Sequence, residues 1–182
     1  FIKDEPFAAM WGDDIMIKVD KSKPTCLKQM MNYFEMYKPT AVLAASRVRR
    51  EEINKYGCFE FEEKSKSKIP YQVKRLIEKP RPNEAPSLMA NACRFILSSE
   101  VVDELEKKIK GKDSEIWLTD AIDRLIQNGK VVMAPPWIGS FWVPVGDPIR
   151  WLKANLLTAL YTKQYRDKTK EILKNINKLQ IS

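Results

Sequence analysis

An acidic and a basic residue stand side by side where an apolar stretch meets a proline, in Leu76-Ile77-Glu78-Lys79-Pro80. Side chains of a strand alternate between the two faces of a sheet, so Glu78 and Lys79 are expected to leave the backbone in opposite directions, and Pro80 ends ladder pairing. Opposite charges at the rim of a sheet suit a ligand with both hydroxyl groups and a phosphate. The alternative is a strand end with solvated charges, because charged residues are mostly exposed.

A second candidate is the acidic turn Gly12-Asp13-Asp14, which follows the apolar run 6–11. A short continuous apolar run predicts a strand buried on both faces, and ligands of open α/β sheets bind beyond the carboxyl ends of such strands. Asp13 is therefore a candidate Mg²⁺ ligand, since this hard cation prefers carboxylate oxygen beside a phosphate. An Asx turn made by Asp13 or Asp14 explains the same pattern equally well.

The composition excludes several kinds of chemistry. The 182 residues include no histidine, which rules out Ser-His-Asp and Cys-His catalysis and removes the commonest zinc ligand. The three cysteines are odd in number, widely spaced and set among apolar neighbours, so we expect core thiols and neither disulfides nor a Cys-x-x-Cys metal site. Catalysis would have to use carboxylates, lysines, backbone amides and a bound metal.

The net charge of +8 raises the question of an anionic partner. The basic residues are scattered, and neither an aromatic-interleaved basic stripe nor a nucleic-acid motif accompanies them, so we expect no nucleic-acid binding. The sequence shows no apolar run long enough to span a bilayer and no secretory signal, which predicts a cytoplasmic protein without membrane contact. The oligomeric state is open, with a homo-oligomer as one option.

Hydrophobic periodicity predicts an α/β fold around these residues. Apolar positions at i, i+3, i+4 and i+7 predict a helix over 25–38, and a buried strand follows over 40–46. With the run 6–11, this order indicates a βαβ unit of a Rossmann-like, mostly parallel sheet with flanking helices. The segments 56–61 and 73–78 predict a hairpin-like excursion across a polar loop, with the acid–base pair on its return arm.

The later part of the chain completes the predicted set of elements. Asp147 precedes a proline at a helical first turn, which predicts a helix N-cap. The remaining predictions are strands over 90–97, 131–134 and 138–143, a helix capped by Ser98 or Ser99 and ended by Gly111, a helix opened by 115–120, a helix from Ile149 toward Tyr161, and a basic amphipathic helix over 165–181.

Five stretches of the chain are informative as an ordered set: Pro6-Phe7 to Gly12-Asp13-Asp14-Ile15, Tyr56-Gly57, Ile77-Glu78-Lys79-Pro80 with Glu84-Ala85-Pro86-Ser87, Glu115-Ile116-Trp117-Leu118-Thr119-Asp120-Ala121-Ile122, and Val145-Gly146-Asp147-Pro148 with Leu152-Lys153-Ala154. Together they resemble the sugar-1-phosphate nucleotidylyltransferases, most closely the UTP-glucose-1-phosphate uridylyltransferase branch. The set is specific, whereas each motif alone is weak.

The resemblance implies a reaction that needs no histidine. A phosphate oxygen of glucose 1-phosphate attacks the α-phosphorus of UTP in line and pyrophosphate leaves, with Mg²⁺ offsetting the growing charge, so catalysis is mostly positioning and electrostatics. By resemblance, Asp13 would hold Mg²⁺, the Gly57 backbone and the Glu78 carboxylate would bind sugar hydroxyls, and Lys79 would meet the sugar phosphate. The resemblance also implies that 1–154 is the later part of a catalytic domain and 155–182 a helical extension.

Three departures from the family pattern bear on activity. The Gly-rich loop that binds the triphosphate is not in this sequence, so we expect the chain to be the later part of a longer polypeptide and not to bind a nucleoside triphosphate productively by itself. Pro144 stands where the family usually has a second metal-binding aspartate, and Asp147 is read as an N-cap, not a substitute. Cys93 and Trp117 replace a usual glycine and glutamine and would add bulk near the sugar.

Two functions therefore remain open from the sequence. One is a working uridylyltransferase in nucleotide-sugar biosynthesis, supported by Asp13, Gly57, Glu78 and Lys79. The other is an inactive relative that binds sugar phosphate or acts as a regulatory subunit, supported by Pro144 and the absent loop.

Overall fold

The computed structural model describes residues 2–63, 69–111, 114–176 and 178, which form two compact units. Unit 1 consists of the described residues of 1–11 and 26–138, and unit 2 of those of 12–25 and 139–182. The predicted boundary after Ala154 falls within a helix of unit 2. It stays a prediction about where the family motifs end, because the compact units follow packing rather than motif boundaries.

The elements alternate along the chain as expected for an α/β protein. The strands are β1 (Phe7–Met10), β2 (Asp14–Lys18), β3 (Ala41–Arg47), β4 (Gly57–Phe61), β5 (Val73–Glu78), β6 (Met89–Leu97), β7 (Val132–Met133) and β8 (Ser140–Pro144). The helices are α1 (Cys26–Tyr37), α2 (Glu100–Glu106), α3 (Leu118–Gln127), α4 (Pro148–Tyr161) and α5 (Lys163–Ile176), and a short 3₁₀ helix spans Arg50–Lys55.

The sheet of unit 1 has the strand order β5-β4-β6-β3-β7, and β1 also pairs with β6. The predicted α/β class with flanking helices is confirmed, but the pairing is mixed: among the described strands of this sheet, β3 and β7 are parallel and the other pairs are antiparallel. Phe7 of β1 and Ala41 of β3 both pair with Leu97. The predicted βαβ unit therefore exists with β6 inserted between its two parallel strands.

The predicted hairpin-like excursion is confirmed as the antiparallel pair of β4 and β5. Its register places Gly57 opposite Glu78 and Phe59 opposite Leu76. The strand β5 ends at Glu78, as the proline that follows predicted. Most of the polar loop expected between these strands, residues 64–68, lies outside the described residues.

The core of unit 1 lies against β3, whose residues Ala41 to Ala45 are all buried, as the continuous apolar run predicted. Ile122 and Leu125 lie on one face of α3 and are 0% and 6% exposed. Burying such a side chain contributes about 1.5–3 kcal/mol, so this face is what holds α3 on the sheet. Two predicted details of α2 are wrong: the helix ends at Glu106 rather than near Gly111, and neither Ser98 nor Ser99 makes a side-chain cap hydrogen bond among the described residues.

Unit 2 contains the antiparallel ribbon of β2 and β8, with α4 and α5. The register of the ribbon runs from Asp14 opposite Pro144 to Lys18 opposite Ser140. Ile17, Val143 and Ala154 form its small buried core. The last residues of the predicted helix 165–181 lie partly outside the described range. Within that range, no helix is both long and apolar enough to cross a membrane.

Candidate functional site

The end of the β4–β5 hairpin brings Gly57 and Glu78 together. They pair across the two strands, and the Glu78 side chain is only 9% exposed. A Cβ atom added to Gly57 would lie 3.3 Å from Glu78 Oε2, 3.2 Å from Thr119 Cγ2 and 3.4 Å from Leu76 Cδ1. The distances to Glu78 and Thr119 are shorter than ordinary van der Waals contact, so a side chain at position 57 would make these neighbours shift by a few tenths of an ångström, and the close approach favours glycine there.

Lys79 lies beside Glu78, which corrects the expectation that the two side chains diverge. The Lys79 Nζ atom is 3.8 Å from Glu78 Oε1. The reason is the backbone, since Lys79 follows the last residue of the strand and has a φ angle of 42°, in the left-handed region. Its N–H donates to the carbonyl of Tyr56 at 3.1 Å, which fixes this turn. The strand alternation rule therefore stops applying one residue before Lys79.

Trp117 supplies an aromatic surface to the same lysine. The Lys79 ammonium lies over the indole ring, 4.2 Å from its centroid, within the range of a cation–π interaction. Trp117 occupies the N-cap position of α3 in an extended conformation. The sequence predicted only that Trp117 adds bulk near the sugar, so its contact with Lys79 was missed.

Helix α3 is fastened to β5 close to these residues by Asp123. The Asp123 carboxylate accepts a hydrogen bond from the backbone N–H of Leu76 at 2.8 Å and three from the Arg75 guanidinium. This pairing raises the pKa of Arg75 above its ordinary value. Leu76, the residue of β5 that Asp123 binds, lies two residues before Glu78. The hydrogen bond therefore sets the position of the start of α3 relative to Glu78 and Lys79. No sequence pattern indicated it.

Thr119, in the first turn of α3, is a second residue that sequence reasoning missed. It is 8% exposed and its methyl group faces Gly57. Its hydroxyl oxygen is buried and finds no hydrogen-bond partner among the described residues. The signal available in the sequence was that Thr119 lies within 115–122, one of the five stretches that carry the family resemblance.

The backbone at Cys93 has a conformation that favours glycine, the residue that the family resemblance implies at this position. Cys93 has a φ angle of 52°, in the region that favours glycine, and its carbonyl accepts a hydrogen bond from Trp11 at 3.4 Å. The other two cysteines are buried core thiols, as predicted, and burial raises the pKa of Cys26 to about 11 and that of Cys58 above its ordinary value.

The acidic residues of unit 2 lie around the start of the β2–β8 ribbon. Asp13 is exposed, its carbonyl accepts a hydrogen bond from Val145 at 2.8 Å, and its Oδ2 lies 3.9 Å from where a Cβ atom of Gly146 would be. Asp14 is buried, and its carboxylate accepts a hydrogen bond from the Trp142 indole N–H. The acidic turn therefore presents one carboxylate outward and directs the other inward.

Asp147 is an N-cap, as predicted. Its carboxylate accepts a hydrogen bond from the Arg150 backbone N–H at 2.9 Å and pairs with the Arg150 side chain at 3.1 Å. Pro144 lies opposite Asp14 in the ribbon and contributes no carboxylate. In the described part of the chain, no three acidic or cysteine side chains cluster as a preformed metal site. The single outward carboxylate of Asp13 fits Mg²⁺, which is commonly held by one or two carboxylates plus substrate phosphates.

The chain belongs to the nucleotidyl transferase family, whose sequence profile matches residues 1–160. Among curated proteins, it is 34% identical over 178 residues to a UTP–glucose-1-phosphate uridylyltransferase of Streptococcus pneumoniae serotype 4, covering 98% of this chain and 58% of that protein. It is 33% identical to UTP–glucose-1-phosphate uridylyltransferase 2 of Streptococcus pyogenes serotype M1, with the same two coverages. The chain thus spans less than two thirds of the length of these relatives.

Solved structures share the fold. A UDP-glucose pyrophosphorylase complexed with UDP-glucose superposes with a TM-score of 0.73 at 29% identity, covering 84% of this chain and 56% of that one. UTP-bound UGPase from Acinetobacter baumannii gives a TM-score of 0.79 at 23% identity, covering 98% of this chain and 58% of that one. The family predicted from the ordered motifs is confirmed.

Proposed function

We propose that this chain is part of a UTP–glucose-1-phosphate uridylyltransferase and provides its sugar-phosphate-binding residues. In the proposed reaction a phosphate oxygen of glucose 1-phosphate attacks the α-phosphorus of UTP, the bond to the leaving pyrophosphate breaks, and UDP-glucose forms. The observation that carries the proposal is the placement of Glu78 and Lys79 beside Gly57, with Glu78 Oε1 and Lys79 Nζ 3.8 Å apart. Family membership and the printed names of the relatives support the same chemistry.

Each residue of this group has a role that follows from its chemistry. The Glu78 carboxylate accepts hydrogen bonds from sugar hydroxyls, and the absence of a side chain at Gly57 lets a sugar come close to the backbone. Lys79 offers a compact positive charge to the phosphate. Its side chain is 39% exposed, so an anion can reach the ammonium.

We assign Asp13 as a ligand of Mg²⁺ in this reaction. When bound, Mg²⁺ would offset negative charge on the triphosphate as the new bond forms. The support is the outward, exposed position of Asp13, whereas the carboxylates of Asp14 and Asp147 are engaged with Trp142 and Arg150. Because one carboxylate is a sparse ligand set, the nucleotide phosphates and water must supply the remaining oxygen atoms.

A second candidate function is a sugar-phosphate-binding or regulatory relative without turnover. The observation in its favour is Pro144, which stands opposite Asp14 where the family usually has a second aspartate. Losing one of two carboxylates weakens a Mg²⁺ site. This candidate shares the sugar-phosphate residues with the first and differs in the metal site.

Pyrophosphate release from UTP and glucose 1-phosphate tests the two candidates in the full-length polypeptide that carries this chain. We expect Lys79→Ala to lower the rate about a hundredfold or more, because a charge that stabilises the transition state is lost. Lys74→Ala is the matched control, since Lys74 lies on β5, the strand that ends just before Lys79, but pairs with Glu60. An unchanged rate in Lys79→Ala would contradict the role of Lys79. Binding of glucose 1-phosphate without turnover would support the second candidate.

A further inference from the structure

The Lys79 ammonium lies close to both a carboxylate and an aromatic ring: Glu78 is the last residue of β5, and Trp117 is the N-cap of α3. We infer that Trp117 is a positioning residue, which orients Lys79 for the phosphate of a sugar phosphate. The inference rests on the proposed function, because it assigns to Trp117 a part in the binding that Lys79 carries out. Trp117 acts through Lys79 and not by touching the phosphate.

The geometry around the ammonium leaves its donors available. The Nζ atom lies 4.2 Å from the Trp117 ring centroid and 3.8 Å from Glu78 Oε1, the latter beyond hydrogen-bond length. Among the described residues Lys79 Nζ makes no hydrogen bond, so attraction to the ring and the carboxylate holds the charge while its three N–H groups can donate to phosphate oxygens. A ring face attracts a cation without consuming those donors.

Both partners of this contact are anchored before any ligand arrives. Lys79 is fixed by its left-handed backbone and by its hydrogen bond to Tyr56. Trp117 is fixed at the start of α3, which Asp123 ties to the backbone of Leu76. A lysine side chain otherwise loses much rotamer freedom when it binds an anion. By holding the ammonium in place beforehand, the ring removes part of that cost and strengthens phosphate binding.

The test is a double-mutant cycle with the dissociation constant of glucose 1-phosphate, measured by calorimetry on the full-length polypeptide. In the Lys79 background we expect Trp117→Leu to weaken binding about two- to fivefold, the strength of a partly exposed cation–π contact, and Trp117→Phe to retain most of the affinity. In the Lys79→Gln background the leucine and phenylalanine variants should bind alike, because no cation remains for the ring to attract.

A control separates positioning from general damage to the fold. Trp151 is 58% exposed on α4 of unit 2, and Trp151→Leu should leave affinity unchanged. Urea unfolding of every variant identifies any that fails to fold. If Trp117→Leu fails to fold, Trp117→Phe, which keeps a ring, replaces it in the comparison between the Lys79 and Lys79→Gln backgrounds.

The outcomes separate this inference from the proposed function. Weakening by Trp117→Leu that disappears with Lys79→Gln supports the positioning role. Unchanged or tighter binding by Trp117→Leu, or equal weakening in both backgrounds, overturns that role while leaving sugar-phosphate binding intact. Failure of the unmutated protein to bind glucose 1-phosphate overturns the proposed function and the positioning role with it.

Discussion

A methyl group at position 57 is the sharpest probe of the candidate site, because three neighbours surround the place it would occupy. In Gly57→Ala the new Cβ would lie 3.2 Å from Thr119 Cγ2 and 3.3 Å from Glu78 Oε2. Carbon atoms prefer separations of about 3.5–4.0 Å, so the neighbours must move by a few tenths of an ångström. Overpacking costs about 1–3 kcal/mol, and the lower entropy of the unfolded alanine chain returns about 0.4–1 kcal/mol. We therefore expect a loss of about 1–2 kcal/mol in the free energy of unfolding.

The same methyl group should also weaken ligand binding. It would displace the Glu78 carboxylate and fill the space through which, in the proposed function, a sugar reaches the backbone. Calorimetric titration with glucose 1-phosphate measures binding, and urea unfolding measures stability. We expect affinity to fall at least about tenfold, the equivalent of about 1.4 kcal/mol, because a hydroxyl partner of the carboxylate is then poorly placed.

Thr119→Ser provides the matched background for Gly57→Ala, because it removes the methyl group nearest to the new Cβ and keeps the hydroxyl. The double variant should recover part of the lost stability. Its affinity should stay low, since the contact with Glu78 Oε2 at 3.3 Å remains. If Gly57→Ala alone retained both normal stability and normal affinity for glucose 1-phosphate, the argument that this position requires glycine would be refuted.

Two further predictions concern the supporting structure. Cys93→Gly should be more stable than Cys93→Ala by about 1 kcal/mol in urea unfolding, since both remove the thiol and only alanine keeps the strain of the φ angle of 52°; equal stabilities would contradict this. The pKa of Glu104 lies below its ordinary value because Lys107 and then Arg124 bond its carboxylate. Its stabilising contribution is therefore present above the ordinary glutamate value of about 4.3 and lost as pH falls through the lowered pKa. The stability difference between wild type and Glu104→Gln should shrink with acid over that window, and a difference independent of pH would exclude the ion pairs as its cause.

Local signals in the sequence were sufficient for three features that a single segment determines. The end of β5 at Glu78 followed from the proline two residues later, and the N-cap role of Asp147 followed from its position before Pro148. The continuous burial of β3 followed from its apolar run. In each case the controlling residues are within a few positions of the feature, so the pattern contains the cause.

The features that the sequence missed are contacts between distant segments. Trp117 meets Lys79 across an interval that includes all of β6 and α2, and Asp123 reaches Leu76 over a similar separation. The insertion of β6 between β1 and β3 is of the same kind, because strand order depends on competition among all the strands. Lys79, by contrast, was misread for a local reason, since its left-handed backbone breaks the alternation assumed for a strand.

The hydrogen bonds of the acidic turn of unit 2 hold Asp13, the proposed Mg²⁺ ligand, in place whichever residue stands at position 144. The backbone N–H of Val145 holds the Asp13 carbonyl, and Asp14 is bonded to Trp142, so the turn is fixed by hydrogen bonds that involve no residue at position 144. Pro144 therefore removes a carboxylate without releasing Asp13. If Asp13 alone supplies protein oxygen, Mg²⁺ affinity must depend on the phosphates that arrive with the nucleotide. The proline then weakens metal binding to the free protein more than metal binding to a nucleotide complex, which is why its presence does not by itself decide between the catalytic and the non-catalytic function.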